Sequence, residues 1–229
     1  YEAVYETSPI TGKSRLKYDR SQPWEKEVPF LNTFSASLVK EKPQAYLIPQ
    51  AYQAVITRLE LNGIQVHRLA EKVKLEGEVY YLRDVQSAST PYEGHHYHRQ
   101  VSPEIDTQTL QFYPGDVVVF TGQWRDPYLL NALEPEGPDA FFRWNFFDGV
   151  LMQKEYFSSY VFEETAMELL EADSSLARAF KAKKESDPAF AQNARAQLDF
   201  IYKRSPYYEK THQRYPVMRW WGSEPLPLR

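Results

Sequence analysis

The sequence predicts an α+β fold. Its core is an antiparallel β-sandwich, jelly-roll-like, preceded by a small strand–helix–strand unit and followed by a helical C-terminal part. Three observations predict it. Apolar residues recur at helical spacing from Tyr52 to Leu59. From Val79 the period changes to two, in short runs divided by turn residues. After Asp148 the helical period returns. The implied organisation is an N-terminal arm plus strand–helix–strand unit at 1–75, a β-sandwich at 76–150, and a helical part packed on it at 151–229.

The elements follow in order. Tyr1–Thr7 alternates enough for a short strand. Pro23, Pro29 and Pro43 then punctuate a segment that reads as a loop or wrapping arm carrying Trp24, Phe30 and Phe34. Ala45–Ile48 is a short apolar strand, and Pro49 opens a helix at its first turn, where proline is tolerated. Tyr52, Val55, Ile56 and Leu59 form the helix's apolar face, and Asn62–Gly63 ends it, since glycine takes the left-handed cap at little cost. Ile64–Leu69 is the next strand; if it is parallel to the first, the crossover is right-handed.

Strands are then expected at Val79–Val85, Tyr92–Val101, Thr109–Phe112, Asp116–Thr121 and Phe141–Asn145. Turns are expected at Ser87–Pro91, Pro103–Asp106, Pro114–Gly115 and Glu134–Asp139. Strands this closely spaced suggest the sandwich. Ala166, Leu169 and Leu170 suit a helix ending near Ala172, and Asp173 or Ser174 caps the next. Asp187–Pro188 starts a third, with Leu198, Ile201 and Tyr202 as its stripe and Ser205–Pro206 as its end. The tail from Tyr207 is rich in aromatics and proline.

Composition excludes several functions. The chain has 229 residues, 42% hydrophobic and 15% aromatic, with a net charge of −4. Residues 1–149 carry 15 Lys/Arg against 20 Asp/Glu (−5), and residues 150–229 carry 12 against 11 (+1). Neither part has the basic excess that drives nucleic-acid binding. No apolar run approaches the ~18 residues that span a membrane. With no cysteine, disulfides, thiolate metal sites and a cysteine nucleophile are excluded. The chain opens on Tyr1 rather than Met, so a longer parent polypeptide is expected.

Gly94-His95-His96-Tyr97-His98 places three of the five histidines within four residues. On a strand, His96 and His98 share one face. They form a candidate metal site with Glu104 as third ligand. With Tyr113-Pro114-Gly115-Asp116-Val117, the cluster superficially resembles a cupin. Here five residues separate His98 from Glu104, and no histidine follows between Asp116 and Trp144, where a cupin has one. His-Glu-x-x-His, Gly-x-Ser-x-Gly and a Walker loop are absent, so no catalytic residue is assigned. Trp124 and Arg125, in an expected loop, are candidates for exposed recognition. Phe141–Asp148 is read as core.

A set of motifs keeps its order along most of the chain: Tyr18-Asp19-Arg20, the Pro43–Pro49 run, Leu59–Gly63, Pro91–His98, Leu133-Glu134-Pro135, Asp139–Asp148, Glu155–Glu163, Ser205–Glu209 and Tyr215-Pro216-Val217. In these motifs the chain resembles the C-terminal region of a bacterial subgroup of large zinc carboxypeptidases, the carboxypeptidase A-like metallopeptidases. The resemblance implies that the zinc and the catalytic glutamate lie upstream, in a peptidase domain of the same polypeptide, and that this chain holds no cofactor of its own. It implies a periplasmic or extracellular parent protein. The expected role is a non-catalytic accessory domain that stabilises the peptidase or modulates substrate access, with peptide or glycan as a further partner. Two alternatives stay open: a carbohydrate- or peptidoglycan-binding sandwich using Trp124 and Arg125, and a cupin-like metal enzyme using His96, His98 and Glu104.

Overall fold

Alternation in the first residues builds β1 (Glu2–Thr7), which pairs antiparallel with β2 (Ser14–Asp19). The computed structural model describes all 229 residues, in two compact units, Tyr1–Glu41 and Lys42–Arg229. In the first unit the pairing of Glu6 with Arg15 and Lys17 accompanies the register Tyr5↔Leu16 and Ala3↔Tyr18. The turn closes on Gly12 (φ 65°) and on the Ser8 hydroxyl, which accepts from the Ile10 and Thr11 amides. β2 falls where the sequence suggests loop, because its charged residues stabilise it across the strand pair and not through a core. Residues 23–41 form no regular element.

The second unit is built on one six-stranded sheet of order β4-β7-β3-β8-β5-β6, with every neighbouring pair antiparallel. Its strands are β3 (Ala45–Ile48), β4 (His67–Arg68), β5 (Val73–Ser87), β6 (His98–Phe112), β7 (Val117–Phe120) and β8 (Met218–Trp220). The α+β class holds. The two facing sheets of a sandwich are replaced by a single sheet, because β8, from the aromatic tail, inserts between β3 and β5 and joins the strands into one ladder. The sheet also runs through the boundary drawn at 75/76: β3 and β4 both pair with β7, which lies between them, so they run parallel to each other.

Both faces of this sheet are covered, which explains why all four residues of β3 are buried. One face carries Tyr46, Ile48, Tyr80, Leu82, Val117 and Val119, packed with Val55, Ile56 and Leu59 of α1 (Gln53–Leu61) and Leu129 and Leu133 of α2 (Asp126–Leu133). The other carries Ala45, Leu47, Val79, Val118, Met218 and Trp220, with Leu226 and Leu228 of the tail against them. β5 serves both cores, through Leu75 and Val79 on one side and Tyr80 and Leu82 on the other.

Three local expectations change. Pro103 lies within β6, not in a turn. β6 is the edge of the sheet, and Leu82, the residue opposite Pro103, turns its N–H away to the Gln213 carbonyl, so no amide is required at Pro103. Tyr92–Tyr97 is the turning tip of the long β5–β6 hairpin. Phe141–Asn145 is a run of tight turns, with Trp144, Asn145 and Phe146 amides bonded to the carbonyls of Ala140, Phe142 and Phe141. Its rings still enter the core: Phe141, Phe142 and Phe147 are buried.

The helical part comprises α3 (Ser159–Ala172), α4 (Ser174–Ser186), α5 (Pro188–Ala191) and α6 (Ala194–Tyr202). Asp173 caps α4, accepting from the Ser175 and Leu176 amides, and Asp187 caps α5 through Phe190 N–H. The third expected helix is broken in two, because Asn193 caps a new start at α6. Phe162, Ala166, Leu176, Ile201 and Tyr202 form a separate core here. No helix is long and apolar enough to cross a membrane.

Candidate functional site

His98 opens β6 opposite Ser87, the last residue of β5. Its ring is buried and lies on Phe142, with centroids 4.7 Å apart. Nε2 is 2.8 Å from Asp148 Oδ1, and Nδ1 is 2.9 Å from Ser87 Oγ. An ionised carboxylate only accepts, so Nε2 carries the proton and Nδ1 accepts from the serine hydroxyl. Asn145, held at φ 68° by the tight turns, brings its Nδ2 within 3.3 Å of the imidazole and donates to the His96 carbonyl at 3.1 Å. Arg143 donates to the carbonyls of His98 and Arg99, at 3.1 and 2.8 Å. A serine, an imidazole and a carboxylate are thus in line, a set able to hold a proton and polarise a hydroxyl. The same bonds tie the hairpin tip to the Phe141–Asp148 turns.

The proposed metal ligands are not brought together. Both nitrogens of His98 are engaged. His96 turns Nδ1 to the Ala88 carbonyl at 2.9 Å. Glu104 accepts from Arg83 Nε at 2.9 Å. Glu104 is six residues beyond His98 on an extended strand, about 20 Å away at ~3.3 Å per residue. No three His, Asp or Glu side chains converge on a point able to hold a metal. The donor set therefore does not fit a zinc centre, and no chemistry here is routed through one.

Trp124 is fully open to solvent, 81% exposed, and the Arg125 guanidinium packs over its ring at 4.4 Å. Arg125 itself is only partly exposed, its Nε buried close against Gly63.

Sequence reasoning missed the most deeply buried carboxylate. Glu134 is 3% exposed. Its Oε1 accepts from Tyr46 OH at 2.6 Å and its Oε2 from Tyr80 OH at 2.7 Å. Arg219 Nε stands 3.2 Å from Oε1, while Nη1 donates to Glu78 at 2.7 Å. Burial, reinforced by the Glu134 charge, pushes both phenols far above their usual range, so they remain donors. Asp126-Pro127, followed by Leu129, Ala132 and Leu133 at helical spacing, was the available signal for α2, the helix that delivers Glu134.

A groove of about 550 Å³ opens between the β3–α1 link, the end of β6 and residues 211–216. Asp116 anchors its floor, accepting from the Gln50 and Tyr113 amides at 2.9 and 2.8 Å. Lys154 on its rim is held by Glu209 at 3.3 Å. The Lys154 amide, with Thr211 and Glu155, holds the Glu209 carboxyl down at about 2.

No described protein family and no solved structure matches the chain. It is similar to carboxypeptidase 2 of Trichophyton rubrum, 29% identical over 108 residues, which is 45% of this chain and 19% of that protein. The carboxypeptidases 2 of Trichophyton tonsurans and Trichophyton equinum are each 28% identical over 110 residues, 46% of this chain and 20% of theirs. The chain contains a carboxypeptidase-related region. The match spans about a fifth of the length of these curated relatives.

Proposed function

We propose that this chain is a non-catalytic accessory part of an exported zinc carboxypeptidase, stabilising the peptidase or modulating access to it. The observation that carries the reading is the similarity to carboxypeptidases over nearly half of this chain but only a fifth of theirs. The engagement of the histidine cluster in bonds that hold the fold supports it. Zinc and the hydrolytic machinery then belong to another part of the polypeptide.

The test is to incubate the purified chain with zinc and peptides bearing free C-terminal residues. No amino-acid release is expected. Release abolished by a chelator would overturn the reading. The companion measurement compares the parent protein with and without residues 42–229. The expected result is a lower melting temperature or a changed preference for substrate length on removal. A deletion that alters neither overturns the accessory role.

A further inference from the structure

The six-stranded sheet has two edges, and they are finished differently. The β4 edge is two residues long and is covered by the tail: the Arg229 amide donates to the Arg68 carbonyl, and the Ala70 amide to the Pro227 carbonyl. The β6 edge runs 15 residues and has only β5 beside it.

Two bonds fix which groups of β6 face outward. Leu82 sends its N–H to the Gln213 carbonyl, and the Tyr80 carbonyl accepts from the Tyr215 amide, both on the side away from β6. Their partners Pro103 and Ile105 are therefore non-hydrogen-bonded positions of the ladder, and by alternation so are Thr107, Thr109 and Gln111. The N–H and C=O groups of Ile105, Thr107, Thr109 and Gln111 point to the open edge, and no other backbone group of the chain bonds them. Ile105 is 56% exposed, and Thr107 and Thr109 are exposed beside it. Sheet edges are ordinarily blunted by Lys, Pro or a bulge. From Pro103 to Gln111 there is no Lys or Arg, and the single Pro begins the stretch. The register shifts of the hairpin fall beyond it, between Arg83 and Ser87.

The charges on this edge select its partner and its register. Two β6 strands can pair antiparallel about a two-fold axis, so that each residue meets its counterpart reciprocally. An axis at Ile105 sets Glu104 against Asp106, and an axis at Asp106 sets that acid against itself. An axis at Gln108 sets the two Gln108 side chains face to face, each bonded to an Arg214 guanidinium at 3.1 Å. An axis at Thr109 carries Ile105 past the end of the strand, to Tyr113. An axis at Thr107 opposes no like charges. It sets Glu104 against Leu110, Asp106 against Gln108 with its arginine, Ile105 against Thr109 and Thr107 against itself. Paired β-branched residues and opposite charges are the favourable cross-strand neighbours.

We propose that β6 is the interface for a second copy of this chain, paired antiparallel about a two-fold axis at Thr107, so that two six-stranded sheets run on as one. In this register Ile105, Thr107 and Thr109 each exchange both backbone bonds with the second copy. The proposal stands apart from the accessory reading above.

The experiment is sedimentation equilibrium of the 229-residue chain, from about 1 to about 300 μM. The expected result is a reversible monomer–dimer equilibrium with a micromolar Kd, as suits a small interface made by one strand pair. Thr107→Lys and Thr107→Glu each set like charges opposite one another and weaken the dimer about tenfold or more. An equimolar mixture of the two variants associates again, which also shows that both are folded. Thr107→Pro removes an amide that bonds nothing within the chain, so the fold is kept and the dimer is lost. A chain that stays monomeric to about 300 μM overturns the proposal, even if its edge accepts an unrelated extended peptide. So does a dimer that all three variants leave unchanged, or a Lys–Glu mixture that does not associate. A monomer leaves the accessory reading standing, and zinc-dependent release of amino acids overturns that reading without touching the dimer.

Discussion

Glu134 and His98 are both buried titratable groups with more than one partner, yet their surroundings differ. Glu134 has tyrosine hydroxyls on both oxygens and a guanidinium beside it, and the cluster is closed to water. His98 is as deeply buried, but Ser87 and Asp148, which complete its bonds, lie at the surface; the Asp148 side chain is 46% exposed. A charge placed inside a sheet must be fully partnered, so the Glu134 cluster acts as a rigid fastener between α2, β3, β5 and β8. The His98 ring, by contrast, is bonded by two side chains that meet solvent. The His98 array is therefore the weaker joint and the only one of the two whose chemistry a solute can reach.

The largest effect that would break this contrast is at Glu134. Glu134→Ala removes the carboxylate that Tyr46 and Tyr80 donate to and that stands beside Arg219 Nε, and a loss of about 3–5 kcal/mol is expected in urea unfolding. A loss below about 1 kcal/mol would remove the distinction between the two sites. At the weaker joint, His98→Ala deletes two hydrogen bonds and a ring contact with Phe142, for about 2–3 kcal/mol. Asp148→Asn, at an exposed partner, is expected to cost about 1 kcal/mol or less. A double-mutant cycle between these two positions measures whether the array acts as a unit.

Solution pH sharpens the comparison further. Glu209 is depressed from 4.5 to about 2, so the stability it adds is present above the unfolded value and is lost as pH falls between those two values. Glu209→Gln is expected to flatten that acid limb. Tyr46 and Tyr80 are shifted upward, mainly by burial. Their contribution is present below about pH 10, the unfolded value, and declines as pH rises beyond it. Thermal melts from acid to alkaline pH, with and without Glu209→Gln, check both signs. The smallest effect is expected at Trp124. Trp124→Ala should change stability by no more than about 0.5 kcal/mol, because the ring lies outside every core.

Local chemistry made much of the fold legible. The helix over Tyr52–Leu59, its Gly63 end (φ 74°), the Asp173 and Asp187 caps and the Pro114–Asp116 turn all follow from nearest neighbours. What escaped depends on distant pairing. β8 shows no strand pattern by itself, because Met218, Arg219 and Trp220 are all buried and do not alternate. Pro103 reads as a turn until the sheet order shows it on an edge. Glu134 reads as a turn residue until the fold supplies Tyr46, Tyr80 and Arg219 from 88, 54 and 85 positions away (the last from 219 − 134). The histidine cluster was visible, but its partners Ser87 and Asp148 were not. A strand pattern shows which face a side chain takes and not what meets it there.

The place of β8 has a consequence for synthesis. β3 and β5 are made early but are joined through a strand some 130 residues or more later. Until Met218–Trp220 leaves the ribosome, the sheet is two separate fragments, each with an open edge, and Glu134 has no arginine beside it. Closure of the fold is thus a late, long-range event, of the kind that folds slowly and exposes strand edges in the meantime. A nascent chain stalled before residue 218 is expected to be protease-sensitive, and one extended past the exit tunnel to be resistant.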